Sequence, residues 1–281
     1  VIGVRHASVQ RLRRLSRRRS VRADEGAFVI DGPTLVAEAL DAGVPLDELL
    51  AEPAAPRALL DRAAAAGATV HLVQDGVLAR ATDTVTPQPV AAVARFVEPT
   101  VAGVLEGLRR PELVLVLAGV NDPGNAGTLL RSAEAAGAEA VLFCDDAVDP
   151  YGPKSVRASA GSLFRLRVVR STTGAAALAA LRDHGVRSLG TVARDGTAYD
   201  AVDLTGPTAL VLGSEAHGLA PALQADVDAL VTIPMRGGAE SLNVGMAGTI
   251  ICFEALRQRR ASESTYPLDG RPSAGAGFSA A

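Results

Sequence analysis

From residue 111 onward, short apolar runs alternate with helix-patterned stretches, and this alternation constrains the fold more than any other feature of the sequence. The apolar runs fall at 113–118, 140–143, 165–169, 186–192, 209–212 and 230–234. Helical patterns separate or follow them, notably at 126–136, 173–183 and 244–260. Strands this short and this uniformly apolar, with helices between them, predict a parallel sheet covered on both faces. Aromatic residues make up only 3% of the chain and Trp is absent, so the cores must be built from Ala, Val and Leu.

The preceding residues follow a different plan. "GAFVIDGPTLVAEALDAG" reads as a strand, a turn at Asp31-Gly32-Pro33, and an amphipathic helix closed by Gly43. "RALLDRAAAAGATVHLVQ" repeats helix, glycine and strand, and "VTPQPVAAVARFV" is a proline-punctuated loop entering another strand. These residues predict a small α/β domain at 1–97, a connector with a short helix at 98–110, and the larger domain at 111–260. The tail, 261–281, is rich in Gly, Ser, Pro and Ala without periodicity, a composition that predicts disorder.

The net charge of −3 hides an asymmetry. Residues 1–22 carry eight arginines and no acid. A solvated helix face is the ordinary reading of such a run, but so one-sided an excess is better matched to a polyanion. Arg11, Arg13, Arg14, Arg17, Arg18 and Arg19 are therefore candidate contacts to a polyanion such as a nucleic acid. Lys154 is the single lysine, and arginine's planar fork suits phosphate. No apolar run approaches the roughly 20 residues of a membrane span. No apolar stretch follows the basic residues as a secretory signal would require. Cys144 and Cys252 stand far apart in apolar surroundings, which predicts reduced thiols and a cytoplasmic protein. No Cys/His cluster has zinc-ligand spacing, so no metal site is expected.

Ligands of open parallel sheets bind beyond the carboxyl ends of the strands, and three such ends are chemically unusual. "NDPGNAGTLLRSAEAAG" follows the first strand, with Asn125 placed to cap the helix and Arg131 nearly two turns along. "SEAHGL" follows 209–212, with Glu215 projecting from a turn between Gly213 and Gly218. "IPMRGGAESLNVGMAG" follows the last strand and carries Ser241, Leu242 and Asn243. Each alone has an ordinary structural explanation: a solvent-facing helix arginine, a surface turn, a helix N-cap before small packing residues.

Together, in this order and spacing, the three resemble the sequence motifs of the SpoU/TrmH family of RNA ribose 2′-O-methyltransferases, in the SPOUT superfamily. "YGPKSVRASAGSLFRLRVV" is similar to a further segment of these enzymes, and "FVIDGPTLVAEALDAG" and "TPQPVAAVA" resemble their N-terminal substrate-binding domain. The resemblance covers nearly everything except the tail. It implies a C-terminal parallel-sheet SPOUT domain with a deep trefoil knot, preceded by a small α/β RNA substrate-binding domain.

The resemblance also implies S-adenosylmethionine as cofactor. Gly213, Ile233 and Leu242, with Leu212 and Met235 beside them, would hold it in the loops of the knot. Arg131 matches the family's catalytic arginine, acting as a base if its surroundings perturb it or as an electrostatic stabiliser. Asn125 would order its loop and contact RNA, Ser241 would bind a phosphate, Asn243 would fix the pocket, and Glu215 would orient the neighbouring loops. A homodimer is implied, with Arg131 serving the second copy's cofactor and Ile250, Ile251, Phe253 and Leu256 of the last helix at the interface. Ribosomal RNA is the favoured substrate, because a separate N-terminal domain is typical of the family's ribosomal members. Transfer RNA, or a non-catalytic role in RNA binding or ribosome assembly, are the alternatives. A nucleotide-dependent oxidoreductase is set aside for want of a glycine fingerprint after the first strand.

Overall fold

The computed structural model describes residues 1–82, 84, 86–107, 113–238 and 240–262. The expectation of a disordered tail, from residue 263 on, lies outside the described residues, as does the connector at 108–110. The first unit runs α1 (Ala7–Arg17), α2 (Arg19–Glu25), β1 (Ala27–Asp31), α3 (Pro33–Asp41), β2 (Leu46–Ala51), α4 (Arg57–Ala65), β3 (Thr69–Leu72), α5 (Val77–Ala81) and β4 (Val90–Arg95). Its four strands order as β1-β4-β2-β3, with β4 antiparallel to both β1 and β2 and only β2–β3 parallel. The connector contributes α6 (Val101–Glu106), capped by the Thr100 side chain.

The second unit runs β5 (Leu113–Ala118), α7 (Pro123–Ala135), β6 (Ala140–Cys144), α8 (Pro153–Ala158), β7 (Arg167–Thr172), α9 (Gly174–Asp183), β8 (Arg187–Thr191), β9 (Thr197–Ala198), β10 (Thr208–Leu212), α10 (Pro221–Asp226), β11 (Ala229–Thr232) and α11 (Val244–Ser262). Every pairing in its sheet is parallel, in the order β7-β6-β5-β10-β8-β11-β9. β5 and β10 lie at the centre and are buried along their whole length, as their unbroken Leu/Val runs require. The chain builds outward from β5 to β7 and later inserts β10 between β5 and β8. This reversal opens a crevice at the carboxyl ends of the central strands.

Some boundaries differ from the sequence expectation for local reasons. The strand expected at 165–169 begins at Arg167, because Arg165 closes the 3-10 turn Ser162–Phe164 as its C-cap and the chain extends only after it. The strand expected at 230–234 ends at Thr232; Ile233 and Pro234 have already left the sheet. α7 starts at Pro123, three residues before the expected start, because Asp122 and not Asn125 is its cap.

The two units share one core. A single cluster of buried apolar side chains runs from Phe28, Ile30 and Leu49 of the small sheet to Leu115, Leu129 and Leu210 of the large one. Of the apolar residues expected at an interface on α11, Ile251 is fully buried and Leu256 packs against the core. Both therefore serve the monomer.

Close helix packing depends on Gly127. A Cβ there would stand 2.3 Å from the Ala158 Cβ and 2.5 Å from its carbonyl carbon, so α7 rests directly on the backbone of α8. Gly127→Ala should lower stability by about 2 kcal/mol, overpacking outweighing the gain in helix propensity. Gly206→Ala, where a Cβ meets nothing within 4 Å, should stay within about 0.5 kcal/mol of the parent. Urea midpoints of the two variants check the contrast.

Candidate active site at the carboxyl edge

α7 begins where Pro123 presets the first helical φ and the Asp122 carboxylate accepts the Asn125 N–H at 2.8 Å. With the cap supplied by Asp122, the Asn125 side chain is released to reach sideways. Its Nδ2 donates to Glu215 Oε1 at 2.9 Å, and its Oδ1 accepts from Asn243 Nδ2, also at 2.9 Å. Asn243 caps α11, its Oδ1 accepting from the backbone N–H of Gly245 and Met246 at 2.9 and 3.2 Å. That capping role fixes which way round the Asn243 amide lies, and hence the Asn125 amide as well. Glu215 completes the chain by accepting from the backbone N–H of Asn121 and Asp122, both at 3.1 Å. One polar relay, Glu215–Asn125–Asn243, thus ties together the loops after β10, β5 and β11.

Each loop has a local reason for its shape. After β10, Ser214 and Gly218 exchange backbone hydrogen bonds of 3.0 and 2.9 Å, closing a tight turn with Glu215 at its tip. Gly213 is required there, because a Cβ would fall 2.1 Å from the Gly218 carbonyl carbon. After β11 the chain leaves the sheet and returns through Ser241 and Leu242 to the Asn243 cap. Behind that cap α11 lies against α7: a Cβ at Gly248 would come within 2.3 Å of Leu129 Cδ2. The small residues that follow "ESLN" are explained by this close contact.

These loops surround a cavity of about 660 Å3, within the range of small-molecule sites. Gly213, Ile233, Met235, Ser241, Leu242 and Asn243 line it, with Glu215 and His217 on the same wall. Leu212 does not line the cavity; it is fully buried in the core one residue earlier. The loop from Val192 to Asp195, after β8, forms a wall that sequence reasoning missed. Its signal was the Asp-Gly pair at a strand end, and Asp195 does adopt a left-handed φ of 61°.

Burial alone would push the Glu215 carboxyl up. The hydrogen bonds from Asn125 and from the backbone N–H groups of Asn121, Glu215 and Asp122 outweigh it and hold the group below its usual value of 4.5. Glu215 is therefore an anion at neutral pH.

Arg131 stands exposed on α7, outside the cavity wall of its own chain. The next residue, Ser132, is joined to Thr249 of α11 at 2.7 Å, so the helix that presents Arg131 is anchored against the last one. Among the described residues no group of His, Cys, Asp and Glu could hold a metal ion.

The arginine run divides. Arg13, Arg14, Arg17, Arg18 and Arg19 are exposed. Arg11 is gripped by Glu25, Asp47 and Glu48 at 2.7 to 2.9 Å, and these three carboxylates neutralise it.

On this geometry the comparisons with known proteins are decisive for the class. The chain matches the SpoU rRNA Methylase family over residues 112–253 and the MRM3-like substrate binding domain over 6–92. It belongs to the SpoU rRNA methylase family.

Among curated relatives it is 32% identical over 232 residues to the 23S rRNA (guanosine(2553)-2′-O)-methyltransferase RlmP of Bacillus subtilis (strain 168). That alignment covers 83% of this chain and 89% of the relative. Among solved structures, the AdoMet-bound rRNA methyltransferase from Sinorhizobium meliloti superposes with a TM-score of 0.81 at 29% identity, covering 92% of this chain and 97% of that one. The SpoU methyltransferase AviRb from Streptomyces viridochromogenes, in complex with the cofactor AdoMet, gives a TM-score of 0.80 at 30% identity over 91% of this chain and 100% of that one.

Glu215→Ala should speed hydrogen exchange at the Asn121 and Asp122 amides by about tenfold or more, while the Gly245 and Met246 amides, held by Asn243, change less. The pH dependence carries a definite sign. A depressed carboxyl stabilises the fold above its unfolded-state value and loses that contribution as pH falls through the lower folded value. Protection at those two amides should therefore persist at pH 4.5 and collapse only below it, and amide exchange as a function of pH reads this directly.

Proposed function

We propose that this chain transfers a methyl group from S-adenosylmethionine to the 2′-hydroxyl of a ribose in RNA, with ribosomal RNA as the substrate. The observation that carries this reading is the Glu215–Asn125–Asn243 relay, which assembles three loops around one cavity in a chain of the SpoU family. The cavity suits the cofactor. Leu219, Leu230, Ile233 and Leu242 offer apolar contact for a purine ring, and the loop backbone offers donors and acceptors for its edge. Glu215 contributes an anion to the same wall, complementary to a sulfonium cation.

When bound, the cofactor supplies a methyl group made electrophilic by its positively charged sulfur. The chain's own residues would orient the ribose hydroxyl and stabilise the charge that builds on its oxygen as its proton passes to water, the demethylated cofactor leaving as a neutral thioether. Arg131 is the residue for that work. Its planar guanidinium would contribute electrostatically, to the developing alkoxide and the adjacent phosphate. Ser241, exposed at the cavity, donates to a phosphate, and Asn243 and Glu215 hold the loops in register.

Arg131 does not line the cavity of its own chain, which supports a site completed across a homodimer. Met246, Ile250 and Phe253 form a stripe along α11 that the monomer leaves uncovered in part, with Met246 57% and Phe253 46% exposed, and this stripe is the proposed contact. The chain after the last of the three motifs is proposed to thread an earlier loop as a trefoil knot, which the thin glycine-containing stretch of that motif would permit. Ribosomal RNA is favoured because the similarity to RlmP extends over both units. The cytoplasm is the proposed location, and among the described residues no helix is long and apolar enough to cross a membrane. Arg13, Arg14, Arg17, Arg18 and Arg19 would engage phosphates, and Arg11 would shape that surface from within its carboxylate cluster.

Arg131→Ala should lower methyl transfer by about a thousandfold or more, with cofactor affinity by calorimetry within a few fold of the parent. Arg131→Lys should also be poor, since a point charge does not replace a planar fork. An active alanine variant would refute the role given to Arg131. Absence of both binding heat and thermal protection with S-adenosylmethionine would refute the function, because a ligand of the native state must stabilise it.

A further inference from the structure

The basic run at the front of the chain ends in an arginine that is not on the surface. Arg22 is 5% exposed. Its Nη1 donates to the Leu15 carbonyl at 2.6 Å, closing the end of α1, while its Nε and Nη2 reach Asp149 Oδ2 at 2.8 and 2.7 Å. Asp149 belongs to the other unit, in the loop that follows β6, and is itself 7% exposed. Its second oxygen accepts the Tyr151 N–H at 3.0 Å and lies 3.7 Å from Arg170 Nη1. Arg170, 6% exposed on the edge strand β7, is paired with Glu98 of the connector and lies over the Phe96 ring, 4.6 Å from its centroid. Phe96 in turn stacks on Tyr151, with centroids 4.2 Å apart and planes within 11°. Further out, Arg165 bridges Glu38 of the first unit and Glu134 of α7.

Buried charges are retained at a cost unless paired, and breaking one such pair is strongly destabilising to the contact it holds. This cluster sits where the two units meet, at the same carboxyl edge of the large sheet as the cavity. It is also joined to the site by backbone: the Val148 N–H donates to the Val120 carbonyl at 2.9 Å, and the next two residues, Asn121 and Asp122, are those held by Glu215. A contiguous path therefore leads from the exposed face of α1 and α2, through Arg22, Asp149 and the β6 loop, to the catalytic edge.

We propose that the buried Arg22–Asp149–Arg170 cluster makes the two units one rigid body, and that Asp149 is a positioning residue that fixes the arginine face of α1 and α2 relative to the active site. The N-terminal unit then works as a ruler: phosphates engaged by exposed arginines such as Arg13, Arg18 and Arg19 set which ribose reaches the catalytic edge. This inference rests on the methyltransferase reading above. It differs from a tethered arm, which would raise local RNA concentration without choosing the nucleotide.

The test uses the full chain, large-subunit ribosomal RNA and S-adenosylmethionine, with methylated riboses mapped first for the parent enzyme. Asp149→Asn should raise the KM for RNA by about tenfold with kcat and cofactor affinity nearly unchanged, and should spread methylation to neighbouring riboses. Asp149→Glu, which keeps the charge, should restore the parent pattern in part. An Asp149→Asn enzyme with unchanged KM and an unchanged methylation map would overturn the proposal.

A second measurement does not depend on that variant folding. Glu38→Cys with Arg165→Cys, joined by a short bis-maleimide, locks the units together across their exposed edge. The native thiols are spared, because burial pushes both Cys144 and Cys252 up to about 12. The linked enzyme should keep the parent KM, kcat and map; loss of activity on linking, with the unlinked double variant active, would mean that the units must move and would overturn rigidity. A parent enzyme that binds cofactor and RNA but transfers no methyl to any RNA would instead overturn the functional reading on which this inference rests.

Discussion

Two asparagines and a glutamate hold the site together. Glu215, Asn125 and Asn243 follow three different strands, β10, β5 and β11, and lie far apart in sequence. The relay has no slack. Asn243 must present its oxygen to the start of α11, which leaves only its nitrogen for Asn125. Asn125 must then give its own nitrogen to Glu215, which also accepts from two backbone N–H groups of the β5 loop. A hydrogen-bond network satisfied at every member both rigidifies and specifies, whereas a partly satisfied one does neither.

The rest of the fold is arranged to bring those loops within reach. Parallel pairing puts the ends of β5, β8, β10 and β11 on one edge, and the late insertion of β10 beside β5 puts Glu215 opposite the start of α7. Glycine at 127 and 248 lets α7 lie directly on α8 and α11, so the helix that carries Asn125 and presents Arg131 is clamped on two sides. On the far side of the sheet, Arg170 of the edge strand β7 pairs with Glu98 of the connector and lies over Phe96 of the first unit, tying that strand to both.

Much of this was legible in the sequence. The apolar runs at 113–118 and 209–212 read as buried parallel strands because nothing polar interrupts them, and they are central in the sheet. The three loops could be singled out because residues such as "ESLN" and "SEAHGL" sit at strand ends where chemistry concentrates. What could not be read was pairing. A side chain's partner across about 90 residues is invisible locally, so Asn125 looked like a cap when Asp122 does that work. Arg11 and Arg22 looked like the other arginines of the run, although one is neutralised by three carboxylates and the other is buried against the second unit. Leu212 is buried in the core one residue before the cavity begins, and alternation along a strand does not say where the sheet ends and the cavity starts.

The most direct test of the account is to incubate unmodified large-subunit ribosomal RNA with the protein and methyl-labelled S-adenosylmethionine, digest the RNA to nucleosides, and identify the labelled species. Label should appear in a 2′-O-methyl nucleoside from a single position, dependent on Arg131. Label recovered on a base, or no label in any RNA despite bound cofactor, would contradict it.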